Sequence, residues 1–171
     1  MKSKKKVGSL FSGIGGFDLG VERAGCQIEW QVEIDPWCRK VLKKHWPQVT
    51  RHADIRDVGQ HNLSPVDWIV GGFPCTDLSF AGNQEGLEGE HSGLWWEMHR
   101  VIREMVPSIV LVENVPGLLV RGIDQVLGSM ASLGYDAEWE VISARDVGAP
   151  HLRERLWIYC SLADPHRMRE S

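Results

Sequence analysis

The chain has 171 residues, 43% hydrophobic and 25% charged, the profile of one globular domain that can bury a core rather than of a disordered or fibrous chain. A net charge of −4 and a pI near 6.0 exclude a self-sufficient basic nucleic-acid binder, and no run approaches the roughly 18 apolar residues of a membrane span. The four cysteines Cys26, Cys38, Cys75 and Cys160 form no C-x-x-C pair, so no metal site is expected and an intracellular chain keeps them reduced.

The basic start Met1–Lys6 has no long apolar run behind it, so it does not read as a signal peptide and a soluble cytoplasmic protein is expected. Val7–Phe11 reads as a strand and Gly16–Ala24 as a helix stopped by Gly25. Gln27–Glu33 is a second strand, and Pro36–His45 a helix with proline in its first turn. Trp68–Gly71 is a short buried strand. Leu94–Met105 is helical, with Leu94, Met98, Val101, Ile102 and Met105 on one face. Ser108–Val112 is a strand, Ile123–Leu133 a helix, and Glu138–Ser143 and Leu156–Ser161 are strands. This alternation predicts a single α/β domain over residues 1–171, a mostly parallel twisted sheet with helices on both faces. Ligands bind such sheets at the carboxyl ends of the strands. The site loops should therefore follow Phe11, Glu33, Gly71 and Val112. The glycine-rich, aperiodic stretch Gly72–Gly93 has the length of a functional loop.

Phe11-Ser12-Gly13-Ile14-Gly15-Gly16 joins the first strand to the first helix. Glycines there allow a tight turn and close approach of a ligand to the backbone. Glu33 follows Gly13 by 20 residues at a strand end, where a carboxylate can accept from both ribose hydroxyls. Asp35 competes for that role, and one of the two is expected to cap the next helix instead. Asp54-Ile55 could meet an adenine edge, although a turn residue is the commoner fate of such a pair. The spacing lacks G-x-G-x-x-G and G-x-x-x-x-G-K-[ST], which argues against a dinucleotide or a triphosphate and for an adenosine cofactor without pyrophosphate.

Gly71-Gly72-Phe73-Pro74-Cys75 puts a thiol just past a buried strand, where backbone amides favour the thiolate needed for covalent catalysis. Glu113-Asn114-Val115 follows the strand Ser108–Val112. A partly buried carboxyl there can act as a general acid, and a satisfied loop carboxylate is the alternative. Arg153 and Arg155, two apart on an extended segment, point the same way and could hold phosphates or a base edge. Surface salt bridges are the alternative for that pair.

F-S-G-I-G-G, Glu33, D-I, G-F-P-C, E-N-V and R-E-R occur in the order and rough spacing of the DNA cytosine-C5 methyltransferases, with Glu113 38 residues after Cys75. Over nearly its whole length the chain resembles that family. The resemblance implies a Rossmann-like fold that binds S-adenosylmethionine and methylates C5 of cytosine in double-stranded DNA. The enzyme would be bacterial or phage-encoded, as in restriction-modification systems. It implies Cys75 as the nucleophile that adds to C6 of a flipped-out base, Glu113 as the partner of N3, and Arg155, with Arg153 beside it, at the cytosine or its flanking phosphate. It further implies Phe11, Gly13, Gly15 and Gly16 in the cofactor loop and Glu33 at the ribose with Ile34 next to it. Asp54 and Ile55 would meet the adenine, Leu94 the cofactor's edge, Pro74 would shape the nucleophile loop, and Ser79 would touch DNA phosphate.

Thr76, His151 and His91-Ser92-Gly93 depart from the residues usual at those places in the family. Family members also continue past R-E-R into a target-recognition region and a closing segment. The chain is therefore expected to be a fragment or one subunit of a split enzyme, with a second chain or missing C-terminal segment carrying recognition. The rival readings are a transfer-RNA cytosine methyltransferase, a non-catalytic cofactor-binding remnant and a cysteine hydrolase. The last lacks a histidine in a motif-like position.

Overall fold

A computed structural model describes residues 3–74 and 93–162 of the chain. Its elements are β1 (Lys6–Leu10), α1 (Gly16–Arg23), β2 (Gln27–Val32), α2 (Pro36–His45), β3 (Thr50–His52), β4 (Trp68–Gly71), α3 (Gly93–Met105), β5 (Ile109–Asn114), α4 (Leu118–Arg121), α5 (Ile123–Ser132), β6 (Tyr135–Ser143) and β7 (Glu154–Leu162). Two 3₁₀ turns, Ile55–Asp57 and Ala144–Val147, complete the described set. The sequence periodicity anticipates all of these strands and helices except β3 and α4. At three and four residues, both are too short to show a period.

The described strands form one sheet in the order β3-β2-β1-β4-β5-β7-β6. The first five are parallel, and β7 runs antiparallel to both of its neighbours. The expected mostly parallel sheet is therefore present, with one reversed strand inserted next to the last parallel one.

Local signals explain the element boundaries. α1 ends in a Schellman arrangement. Gly25, at φ 90°, donates to the Glu22 carbonyl at 2.9 Å, and Cys26 donates to the Val21 carbonyl at 3.0 Å. α2 starts on Pro36 after an Asp35 cap whose carboxylate accepts the Trp37 and Cys38 amides at 2.7 and 2.9 Å.

The core lies on both faces of the sheet, and side chains alternate between them as the pleat requires. Ile69, Val110 and Val112 pack with Met98, Ile102, Val126 and Met130 beneath α3 and α5. Val7, Ile28 and Val70 pack with Val21 of α1 on the other face. A register irregularity, where Val7 pairs with Ile28 but Gly8 with Trp30, turns Trp30 to the α3 face. A Cβ on Gly8 would lie 2.0 Å from the Trp30 ring, so the indole occupies space that only glycine leaves free.

Candidate active site

Strand register decides what meets at the sheet's edge. Leu10 pairs with Val32 and with Gly71, Val32 with His52, and Gly71 with Val112. Four parallel strands thus finish level and β5 runs two residues further, so Phe11, Glu33, Ala53 and Gly72, which follow their strands, and Glu113, next to last in β5, emerge side by side. Because β7 is reversed, its start lies at the same edge, with Leu156 opposite Asn114.

A cavity of about 450 Å³ opens over this edge. Phe11, Glu33, Ile34, Asp54, Ile55, Pro74 and Leu94 all line it, as the sequence reading expects of the cofactor site. Val32, Ala53 and Arg56 line it too and were not anticipated. Val32 and Ala53 are apolar and carry no chemical signature. Arg56 has a bland surface pattern in the sequence. The lining joins apolar walls to two carboxylates at separate places, which suits adenosine: a flat apolar base whose amino group and ribose hydroxyls need acceptors.

The Phe11–Gly15 loop is held in an unusual conformation. Phe11 sits at φ 53° and Gly13 at φ 54°. A positive φ is strained for phenylalanine, and such strain is often stored at ligand sites. Ser12 fastens the turn by donating its amide to the Val32 carbonyl at 3.1 Å and its hydroxyl to the Ser9 carbonyl at 3.1 Å. Glu33 Oε2 accepts the Gly13 amide at 2.7 Å, and Glu33 Oε1 accepts the Asp35 amide at 2.8 Å. Glu33 therefore braces the glycine loop while facing the cavity. Asp35 is the helix cap of the pair, and the Cys38 and Trp37 amides hold its carboxyl below the usual range.

The structure brings Gly15 and Gly16 to a different surface hollow, which they share with Ile14 and Trp46. A Cβ on Gly15, at φ 91°, would lie 2.4 Å from the Trp46 ring. That position is packed against the Trp46 ring, and neither glycine is among the residues that line the cavity over the sheet edge. Gly13 reaches the site through its amide, not as a lining residue.

Asp54 caps the 3₁₀ turn by accepting the Arg56 amide at 3.0 Å. It also takes a forked pair from the Arg56 side chain, with Nη2 2.7 Å from Oδ2. Arg56's hydrogen bonds hold the Asp54 carboxyl below its usual range.

Beside the cavity, Arg155 Nε lies 2.8 Å from Glu113 Oε1. A Cβ on Gly72 would lie 2.7 Å from Glu113 Oε2, so glycine lets the carboxylate sit against the G-F-P-C segment. Asn114 Nδ2 donates to the Phe73 carbonyl at 3.2 Å and ties the E-N-V and G-F-P-C segments together. Arg153, exposed just before β7, contributes its carbonyl to the Ala144 amide at 3.1 Å. Arg155 is thus the arginine of the R-E-R segment that pairs with Glu113. Cys75 and Ser79 lie outside the described residues, although Pro74, the chain neighbour of Cys75, lines the cavity. Among the described residues no group of three or more His, Cys, Asp or Glu could hold a metal ion, and no helix is long and apolar enough to cross a membrane.

The family model for C-5 cytosine-specific DNA methylase matches residues 5–169. The chain is 35% identical over 162 residues to the type II methyltransferase M.NgoFVII of Neisseria gonorrhoeae, covering 91% of this chain and 43% of that protein. It is 30% identical over 168 residues to the type II methyltransferase M.HhaI of Haemophilus parahaemolyticus, covering 94% and 51%. The chain thus spans about half the length of these curated relatives. A candidate DNA modification methyltransferase encoded within a prophage (E. coli) superposes with a TM-score of 0.79 at 26% identity, covering 93% of this chain and 47% of that one.

Proposed function

Because the chain belongs to the C-5 cytosine-specific DNA methylase family, we propose that it carries the catalytic part of an enzyme that methylates C5 of cytosine in double-stranded DNA. The observation that supports this most directly is the convergence of the cofactor-type cavity and the Glu113–Arg155 pair on one sheet edge.

The cavity fits S-adenosylmethionine, which supplies an electrophilic methyl group when bound. Glu33 would accept from the ribose hydroxyls, and Asp54 with Ile55 would face the adenine. Ile34 and Leu94 would cover the apolar faces, while Phe11 and Gly13 shape the loop.

Cytosine C5 is a poor nucleophile until C6 carries an adduct. The Cys75 thiolate would form a bond to C6 of a base rotated out of the duplex, pushing the C5–C6 π electrons onto C5. Glu113 would engage N3, and Arg155 would hold Glu113 in place and contact the base or its phosphate. Loss of the C5 proton after methylation would then expel the thiolate and restore the aromatic base. Ser79 and Arg153 would contribute phosphate contacts. Sequence readout, which needs contacts in the grooves, would come from a further segment or a second chain.

Transfer of tritiated methyl groups from S-adenosylmethionine tests this, with duplex DNA and transfer RNA as competing substrates. The chain is assayed both alone and joined to the recognition half of a relative. Label at C5 of DNA cytosine is expected. Label on transfer RNA alone, or cofactor binding without transfer in either format, would overturn the proposal.

A further inference from the structure

We propose that Arg100, which no motif singles out, is a positioning residue that fixes the adenine-facing wall of the cavity by clamping the Ile55–Asp57 turn to α3. The proposal deepens the cofactor reading above and rests on it.

Arg100 spreads its donors over two elements. Nη2 donates to the Ile55 carbonyl at 2.8 Å and Nη1 to the Val58 carbonyl at 2.9 Å. On its own helix, Nε meets Glu97 Oε2 at 2.8 Å and Nη1 meets Glu104 Oε1 at 3.0 Å. Glu104 Oε2 in turn accepts the Gln60 amide at 3.1 Å. Gly59 permits this closeness, since a Cβ there would lie 2.2 Å from Glu104 Oε2.

The turn gains most from this arrangement at the Ile55 carbonyl. A single 3₁₀ turn leaves its last carbonyls without strong internal donors. Here the Val58 amide reaches the Ile55 carbonyl only at 3.4 Å, while the guanidinium approaches it at 2.8 Å. Asp54, the cap of that turn, and Ile55, its first residue and the one Arg100 holds by its carbonyl, line the cavity. So does Leu94, on the first turn of the helix that carries Arg100. One side chain therefore sets the distance between two cavity walls. Two carboxylates neutralise it and fix its rotamer, and its planar fork aims at two carbonyls at once. A lysine offers one compact ammonium and cannot reproduce that fork.

The test uses calorimetric titration of S-adenosylhomocysteine and its N6,N6-dimethyladenine analogue into the full chain, wild type and Arg100→Lys, with thermal unfolding in parallel. Wild type is expected to prefer the unmodified ligand. Arg100→Lys is expected to bind it at least about ten-fold more weakly, as small displacements of a binding wall do, and to lose the preference while unfolding within a few degrees of wild type. Glu104→Gln, which keeps the guanidinium but loosens its seat, should move both quantities the same way by less, and it serves if the lysine variant does not fold. Unchanged affinity and preference in the variants would overturn the proposal. So would a uniform loss that follows the melting temperature with preference retained, or a wild type that binds both ligands equally. A wild type that binds neither ligand would instead defeat the cofactor reading itself, and this proposal with it.

Discussion

Arg155 Nε meets Glu113 Oε1 at 2.8 Å across two antiparallel strands, although the two residues stand 42 positions apart in the chain. The side chains are only 24% and 28% exposed, so the pair is shielded enough to hold its geometry yet open to a substrate. The reversed direction of β7 makes the meeting possible, because it returns the R-E-R segment to the edge where the parallel strands end.

The pair should act as a unit in catalysis. Glu113→Gln is expected to lower kcat/KM for methyl transfer by on the order of 10²-fold or more, as loss of an acid–base group does. Arg155→Ala is expected to lower it by at least about ten-fold. The double variant should fall short of the product of the two losses, with a coupling of about 1–3 kcal/mol. Strict additivity in that cycle would separate the two residues functionally.

Only Cys75 should form a covalent complex with DNA containing 5-fluorocytosine. Cys26 and Cys160 are buried, and burial raises both thiols, Cys160 to about 12. Cys38 is raised as well, by desolvation and then by Glu33 and Asp35. At neutral pH these three have little of the thiolate that reacts. Denaturing gels should show a trapped complex for Cys26→Ser, Cys38→Ser and Cys160→Ser and none for Cys75→Ser. Trapping that persists in Cys75→Ser would refute the assignment.

Glu33→Ala should weaken S-adenosylmethionine binding by about 2–4 kcal/mol, roughly 30- to 1000-fold, because the two charge-assisted hydrogen bonds proposed to the ribose would be lost together with the brace on Gly13. Asp35→Ala removes a helix cap instead, so it should lower the melting temperature and leave the affinity near wild type. Calorimetry with the opposite pattern would move the ribose role to Asp35.

Asp18 is fully buried and bridges the first two strands, accepting from Ser9 Oγ at 3.0 Å and Gln31 Nε2 at 2.7 Å. Burial raises its carboxyl above the usual range, more than these hydrogen bonds lower it. The folded state therefore binds the proton more tightly than the unfolded chain. Its contribution to stability is complete below the ordinary carboxylate pKa and is lost as pH rises through the folded value. Asp18→Asn should remove that slope and hold stability near neutral pH, since a flipped Gln31 amide can offer its Oε1, which lacks a partner, to the new amide group. Asp18→Ala should cost about 1–3 kcal/mol by leaving two buried donors unpaired. Denaturant melts of the three proteins from pH 4 to 8 check both statements. An asparagine variant as unstable as the alanine variant would show that the charge itself is required.

Most of the elements, the parallel character of the sheet and the cavity residues Phe11, Glu33, Ile34, Asp54, Ile55, Pro74 and Leu94 were legible in the chain. Hydrophobic period, caps and glycine turns are local signals, and the site loops of such a sheet follow its strands by rule. The sequence could not say which of Glu33 and Asp35 caps α2, because both stand at the strand–helix junction and only the backbone path assigns the free amides. Nor could it show that Gly15 packs under Trp46, that Arg155 rather than Arg153 meets Glu113, or that Arg100 grips the Ile55–Asp57 turn. Those contacts join residues on different elements, and their distances depend on strand order, strand direction and helix docking, which are properties of the packed whole and leave no periodic trace in any one segment.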